Sequence, residues 1–275
     1  MCGDIPANSR RTETGRSSSG SAIIWQGGMT YFTARTKKFF WEEINMWNGK
    51  MKALTFSYDD GVTTDERLIA ILNQYGMKGT FNLNMGRHTH EGQPRWVRRA
   101  KSGWGYITRF TYEEMPEIYK GHEVALHSYT HPHLENLSRE DCTREIAEDF
   151  AGMEQVFGIR ADGMAYPFGT YNDDVVDVLR SQGVKYCRTT KSTYNFDTQT
   201  DLLRFHPTCH HRDGRLMELA KAFVEMKPDK PQLFYVWGHT YEFEDSDNWD
   251  IIERFCEFMA NRDDIFYGTN AEVLL

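Results

Sequence analysis

From Met51 to the C-terminus, short apolar runs alternate with amphipathic stretches. Runs at Ala53–Tyr58, Thr80–Asn84, Glu123–His127, Gly163–Tyr166, Lys185–Arg188, Leu202–Phe205, Leu233–Trp237 and Ile265–Tyr267 have the length and residue types of strands. Stretches at Asp65–Gln74, Tyr112–Lys120, Arg139–Phe157, Asn172–Ser181, Arg215–Met226 and Asp247–Ala260 read as helices. Thr111 with Glu114 fits a capping box, and Ser138 precedes acids suited to a first helical turn. Gly121, Gly158 and Gly183 stand where helices should end. Strands alternating with helices mean βαβ units, a mainly parallel sheet and an α/β fold. The chain's 275 residues suit one barrel-sized domain. Residues 1–22 read as a disordered polar tail, 23–50 as an aromatic-rich arm, and 51–275 as the barrel itself.

The chemistry sits at strand ends. Asp59 and Asp60 close the run Met51–Tyr58, and Gly61 permits a sharp turn after them. Two like charges at one strand end repel, and a cation beside them would relieve that cost. His127 and His131 follow the run Glu123–Leu126; Pro132 argues against a helix, so the pair lies on a loop leaving the strand. Two imidazoles and one carboxylate make a three-ligand site with open positions. Taken singly, either motif is also compatible with a solvated turn or a polar surface loop; together they favour a metal site.

The segments Thr55-Phe56-Ser57-Tyr58-Asp59-Asp60-Gly61 and His127-Ser128-Tyr129-Thr130-His131 resemble the first two motifs of the polysaccharide deacetylases, the NodB-homology group of carbohydrate esterases. Tyr166-Pro167-Phe168-Gly169 resembles the proline-aromatic-glycine motif of that family, and Val236-Trp237-Gly238-His239 its late strand-end histidine. The resemblance implies a distorted seven- or eight-stranded (β/α) barrel. It also implies one divalent metal held by Asp60, His127 and His131, with Asp59 as general base and His239 as general acid. Tyr166, Pro167, Phe168, Gly169 and Trp237 would meet the substrate, and the Phe168 N–H would face the oxyanion. Zinc is the first choice of metal, and cobalt, nickel or iron would suit the same donors.

The resemblance has gaps. Met164 and Ala165 occupy the places where the family carries an arginine that steadies the base. No counterpart of the Asp and Trp that support the acid histidine is identifiable; Arg188–Tyr194 stands where they would be sought. His210, His211 and Glu242 are candidate replacements, and a second metal at His210 and His211 is the weaker reading. A long loop between Gly86 and Phe110 mixes basic residues with Trp96 and Trp104. It reads either as a lid offering aromatic platforms to a sugar and arginines to an acidic group, or as a loop packed on the barrel. His88 and His90 in that loop are weak metal candidates.

The net charge of −8 argues against nucleic-acid binding, and no apolar run approaches a membrane span. Five scattered cysteines without a Cys-x-x-Cys pair suggest reduced thiols. The tail carries no signal-peptide pattern, so a cytoplasmic protein is expected unless the true start lies elsewhere. The leading function is removal of acetyl groups from N-acetylated sugars or polysaccharides. Alternatives are a cyclic-amide or O-acetyl ester hydrolase on the same barrel, a non-catalytic carbohydrate-binding barrel, and an iron oxygenase, which the βα alternation fits poorly. The sugar and the oligomeric state stay open.

Overall fold

The computed structural model describes residues 46–275. The tail and most of the arm expected at residues 1–50 lie outside them. Trp47 is described: it is buried, and its indole N–H donates to the Val273 carbonyl at 3.1 Å.

Eight parallel strands form one curled sheet: β1 Lys52–Asp59, β2 Thr80–Leu83, β5 Glu123–Leu126, β6 Gly163–Ala165, β7 Tyr186–Arg188, β8 Cys209–His210, β9 Gln232–Gly238 and β10 Ile265–Tyr267. Their order is β7-β6-β5-β2-β1-β9-β8, with β10 pairing the first half of β1 and β2 its second half. Every residue of β1 is buried, as expected of a parallel strand covered on both faces. Leu54, Phe56 and Tyr58 point into the main core beneath the helices, while Ala53 belongs to a separate inner cluster with Leu233, Tyr235 and Trp237 of β9. The two-residue alternation of a strand therefore turns Ser57 and Asp59 toward the barrel interior. At the far edges, Phe205 exchanges backbone hydrogen bonds with Cys187 of β7 and with Thr189 just beyond it, and the Thr208 N–H donates to Tyr235 of β9. This segment spans the seam between β7 and β9.

The helices are α1 Asp65–Gln74, α2 Met115–Ile118, α3 Arg139–Phe157, α4 Asp173–Gln182, α5 Leu216–Glu225, α6 Tyr241–Ser246, α7 Asp250–Met259 and α8 Asn270–Leu274. Caps set several boundaries. Ser138 Oγ accepts the Asp141 N–H, Asn172 Oδ1 accepts the Val175 N–H, and Gly158 and Gly183 end their helices in the left-handed region.

Four sequence expectations change. The run Leu202–Phe205 is not a strand: Leu202–Arg204 forms a 3-10 turn, and extended backbone begins at Phe205. The helix expected over Tyr112–Lys120 shrinks to α2: Pro116 has no N–H to give the Tyr112 carbonyl, so the chain before it is a turn, and of the expected capping box only the Glu114 half forms, with Thr111 Oγ1 left without a partner. The helix expected over Asp247–Ala260 begins at Asp250, since Asp247 sits at φ 48°, and the separate α6 precedes it. The long loop after Gly86 contains a hairpin of β3 Val97–Arg99 and β4 Tyr106–Thr108, turned by Gly103 and Gly105 at positive φ.

Candidate active site

All the motif residues lie at the C-terminal mouth of the barrel, where β1, β5, β6, β7 and β9 end. Asp59, the last residue of β1, is buried and points inward; Asp60 follows at φ 84°, a left-handed turn that keeps its carboxylate at the same mouth, near His127 and His131. Ser128, His131 and Phe168 also hold positive φ without being glycine. Such backbone is uncommon and costs energy, and its concentration here marks loops held in one shape by their surroundings. Gly61, at φ 62°, has the Leu83 and His88 side chains against the position a Cβ would take, so the turn leaves no room for a larger residue.

The donor atoms of Asp60, His127 and His131 lie within 4.8 Å of one another. His127 Nδ1 is 2.8 Å from the Ala165 carbonyl oxygen, an acceptor, so Nδ1 carries the hydrogen. Its Nε2 is then a bare lone pair, buried and without a hydrogen-bond partner. Burial and the neighbouring His127 hold His131 down at about 4, so it is neutral at pH 7. Burial alone would raise Asp60, but His239, His127 and Arg109 bring it to about 2. A carboxylate and two neutral imidazoles, one with an orphaned buried lone pair, fit a divalent cation. Behind them, Asp149 of α3 accepts the backbone N–H of Met85 through one oxygen and that of His127 through the other, tying the β2 and β5 ends together.

Asp59 has the cation that its motif lacks. Arg188, the last residue of β7, is fully buried, and its Nη2 lies 2.6 Å from Asp59 Oδ1 and also meets Oδ2. Asn82 donates to the same Oδ1 at 2.8 Å, and Ser57 Oγ accepts from both Asn82 and Arg188. Burial would raise the Asp59 carboxyl, but Arg188, His127 and His239 bring it below its usual value. The sequence signal was present: an arginine ending a strand whose neighbours are all buried needs an anionic partner. Arg109, on the loop after β4, was missed altogether; it donates to the Asp60 carbonyl and approaches its carboxylate at 3.6 Å.

His239, just past β9, places Nε2 3.9 Å from Asp59 Oδ2. Its Nδ1 is 3.6 Å from Glu242 Oε2. Burial would lower His239, yet Glu242, Asp59 and Asp60 raise it above the usual histidine value. Glu242 is a hub, with Oε2 also 3.0 Å from His210 Nε2 and 3.2 Å from His211 Nε2. These three residues could enclose an ion by distance alone. The Arg212 N–H, however, donates to His210 Nδ1 at 3.1 Å, which puts the hydrogen on Nε2 and aims it at Glu242. His210 is thereby turned toward Glu242 as a donor, while both ring nitrogens of the buried His211 have no hydrogen-bond partner.

The remaining sequence candidates divide. Phe168 is 53% exposed and lines the cleft over the site, as does Trp96 at 43%. Trp104 is 73% exposed on the hairpin turn and is not among the cleft walls. Tyr166 is buried, with its hydroxyl donating to the Leu203 carbonyl at 2.8 Å, and Pro167 is buried beside it. Gly169, at φ 74°, lies against Thr190, where a Cβ would collide. Trp237 packs its ring 4.5 Å from the Arg188 guanidinium. Tyr166, Pro167, Gly169 and Trp237 thus shape the site from behind. His88 is buried with Nδ1 against the Phe110 carbonyl and Nε2 without a hydrogen-bond partner, and His90 pairs with Glu113; among the described residues neither belongs to a cluster of three candidate ligands.

Residues 47–187, more than half of the chain, match the family model for polysaccharide deacetylase. The chain belongs to the polysaccharide deacetylase family. Two Bacillus subtilis proteins are similar to it. "Putative polysaccharide deacetylase YxkH" is 24% identical over 143 residues, 51% of this chain and 45% of that protein. "Uncharacterized protein YlxY" is 27% identical over 113 residues, 41% of this chain and 30% of that protein. The chain thus spans less than half the length of these curated relatives. A solved structure of a "putative polysaccharide deacetylase" from Mycobacterium smegmatis superposes with a TM-score of 0.54 at 14% identity, covering 82% of this chain and 90% of that one. That likeness supports the barrel fold of this family member. Among the described residues, no helix is long and apolar enough to cross a membrane, and the four described cysteines are buried free thiols.

Proposed function

We propose that this polysaccharide deacetylase family member hydrolyses the acetamide of an N-acetylated sugar, using Asp59 as base and His239 as acid. The observation that carries the reading is the position of Asp59, ion-paired to Arg188, next to the ligand set and 3.9 Å from His239. Asp60, His127 and His131 would hold a divalent cation, zinc by first choice, which when bound supplies a Lewis acid and an acidified water.

Asp59 is ionised over a wide pH range because Arg188 stabilises its charge, so its lone pair is available to take a proton from attacking water. Arg188, Asn82 and Ser57 fix the carboxylate, leaving little reorganisation for the moment of transfer. His239, whose pKa Glu242 and the aspartates raise, can give its hydrogen to the departing nitrogen, without which an amine anion would have to leave. The Phe168 N–H is the candidate donor to the oxyanion, and the positive φ of Phe168 orients that peptide. Trp96 and Phe168 offer apolar faces for a sugar ring at the cleft mouth.

The motive for a cyclic-amide or ester reading was the absent arginine, and Arg188 removes it. A purely binding role leaves the Asp59–His239 pair without a task. The test is metal analysis of the purified protein, followed by acetate release from a panel of N- and O-acetylated glycans. Release from N-acetylated oligosaccharides that is lost in Asp59→Asn supports the reading. Release only from O-acetyl esters, or none with full metal occupancy, overturns it.

A further inference from the structure

The cleft over the site is unbalanced in charge. It encloses about 620 Å³, and its walls carry Arg87, Arg98, Lys101 and Arg109 against a single carboxylate, Asp60. This stands out in a chain of net charge −8. Two of the four cations are committed elsewhere. Arg109 serves Asp60, and Arg98 makes a two-pronged pair with Asp245 of α6 at 2.7 and 2.8 Å. Lys101 only grazes the same Asp245 at 4.0 Å and is 82% exposed. Arg87, exposed on the turn after β2, has no carboxylate partner among the described residues.

Arg87 is also close enough to the ligand set for its charge to be felt there. It helps lower both Arg109 and His131, behind burial as the main cause. An unpaired guanidinium beside another guanidinium is repelled, and a cation held by Asp60 would add to the repulsion. An anionic ligand would relieve both. A guanidinium presents a planar fork of donors suited to carboxylate or phosphate oxygens, and it needs no deprotonation.

Resting on the deacetylase reading above, we propose that the preferred substrate is an acylated sugar carrying an anionic group, carboxylate or phosphate, that seats on Arg87 with Lys101 at the rim. Arg87 is then a specificity-determining residue. The neutral sugar face meets Trp96 and Phe168, and the charge meets the basic wall.

The test uses three acetylated oligosaccharides of equal length: neutral, carboxylate-bearing and phosphate-bearing. kcat/KM for acetate release is measured with the wild type, Arg87→Ala, Arg87→Lys and Lys101→Ala at low and high salt. Binding of the same three glycans to Asp59→Asn is measured by calorimetry, with and without Arg87→Ala in the same chain. We expect one or both anionic glycans to exceed the neutral one by about tenfold at low salt, with the preference shrinking as salt rises. Arg87→Ala should erase most of that preference, and Arg87→Lys should keep part of it. Which anionic glycan responds identifies the group. Equal kcat/KM and equal affinity for neutral and anionic glycans would overturn the proposal while leaving the deacetylase reading intact. So would an equal loss on all three substrates in Arg87→Ala. If no glycan releases acetate, the deacetylase reading fails, and the calorimetric comparison alone decides whether the cleft selects anions.

Discussion

Arg188 Nη2 lies 2.6 Å from Asp59 Oδ1 although the two residues are 129 positions apart and on strands that do not pair. Both side chains are buried, so neither charge is tolerable alone. The strands β6, β5 and β2 separate them along the sheet, and the curl of the barrel brings their inward faces together. A cation has thus reached Asp59 from β7, while the positions three and two residues before Pro167 hold the apolar Met164 and Ala165.

Replacing Arg188 tests whether it tunes the base or merely fills space. Because Arg188 lowers the Asp59 carboxyl, its loss should move the acidic limb of kcat/KM upward in pH. Arg188→Met leaves a buried carboxylate unpaired and is expected to lose about 3–5 kcal/mol of stability. Arg188→Lys keeps the charge without the fork, so it should fold, with a smaller upward shift of the same limb. An unchanged acidic limb in a folded Arg188→Lys, with only a uniformly lower rate, would make Arg188 structural.

The fold was largely legible because parallel strands buried on both faces read as apolar runs; β1, β9 and β10 appear where those runs are. The helices α1 and α3 were legible because amphipathic spacing and polar flanks agree at their ends. Short elements were not. β8 has two residues, and α6 follows Thr240 with no side-chain cap to announce it. Of the site, Asp60, His127 and His131 were legible as motifs, and the structure brings their donors together. The partners that set their chemistry were hidden because curl and register determine them. Arg188 meets Asp59 only across the barrel, and Asp149 reaches two loops from the middle of α3.

The ligand set makes a separable prediction. Asp60→Ala, His127→Ala and His131→Ala should each lose bound divalent metal on elemental analysis and fall to background in acetate release. Asp59→Asn should keep its metal, since a neutral amide still accepts from Arg188, and should lose turnover because it cannot accept the proton of water. Full metal content in all three ligand variants would show that these donors do not hold the ion.

Glu242 should control the alkaline limb. It raises His239 through Nδ1 and is itself held anionic by His210, His211 and His239 against the effect of burial. Glu242→Gln keeps the shape and removes the charge, so the pH at which His239 loses its proton should fall and the alkaline limb should move to lower pH. Amide substrates, which need a protonated leaving nitrogen, should slow more than activated acetate esters, which do not. His239→Ala should remove the limb altogether. Equal slowing of amides and esters in Glu242→Gln, with the limb unmoved, would assign the acid role to another group.

Asp65 gives a stability test independent of catalysis. It begins α1 behind Asp60, buried, with Tyr119 donating to one oxygen at 2.7 Å and Thr240 to the other. Burial pushes its carboxyl up to about 7, against the effect of those hydroxyls. Between an ordinary carboxylate value near ~4 and about 7, the folded chain holds a proton that the unfolded chain has released. Folding stability from this group is therefore full below the lower value, declines as pH rises through the window, and is flat above it. Asp65→Asn keeps the shape, and both hydroxyls can rotate to meet an amide. It should flatten this decline, so denaturant unfolding at pH 5 and pH 8 should differ by less in the variant than in the wild type. The gap should be on the order of 1 kcal/mol for each pKa unit crossed. Equal pH slopes in the two proteins would mean that Asp65 is already ionised in the folded state and that its two hydroxyl donors outweigh its burial.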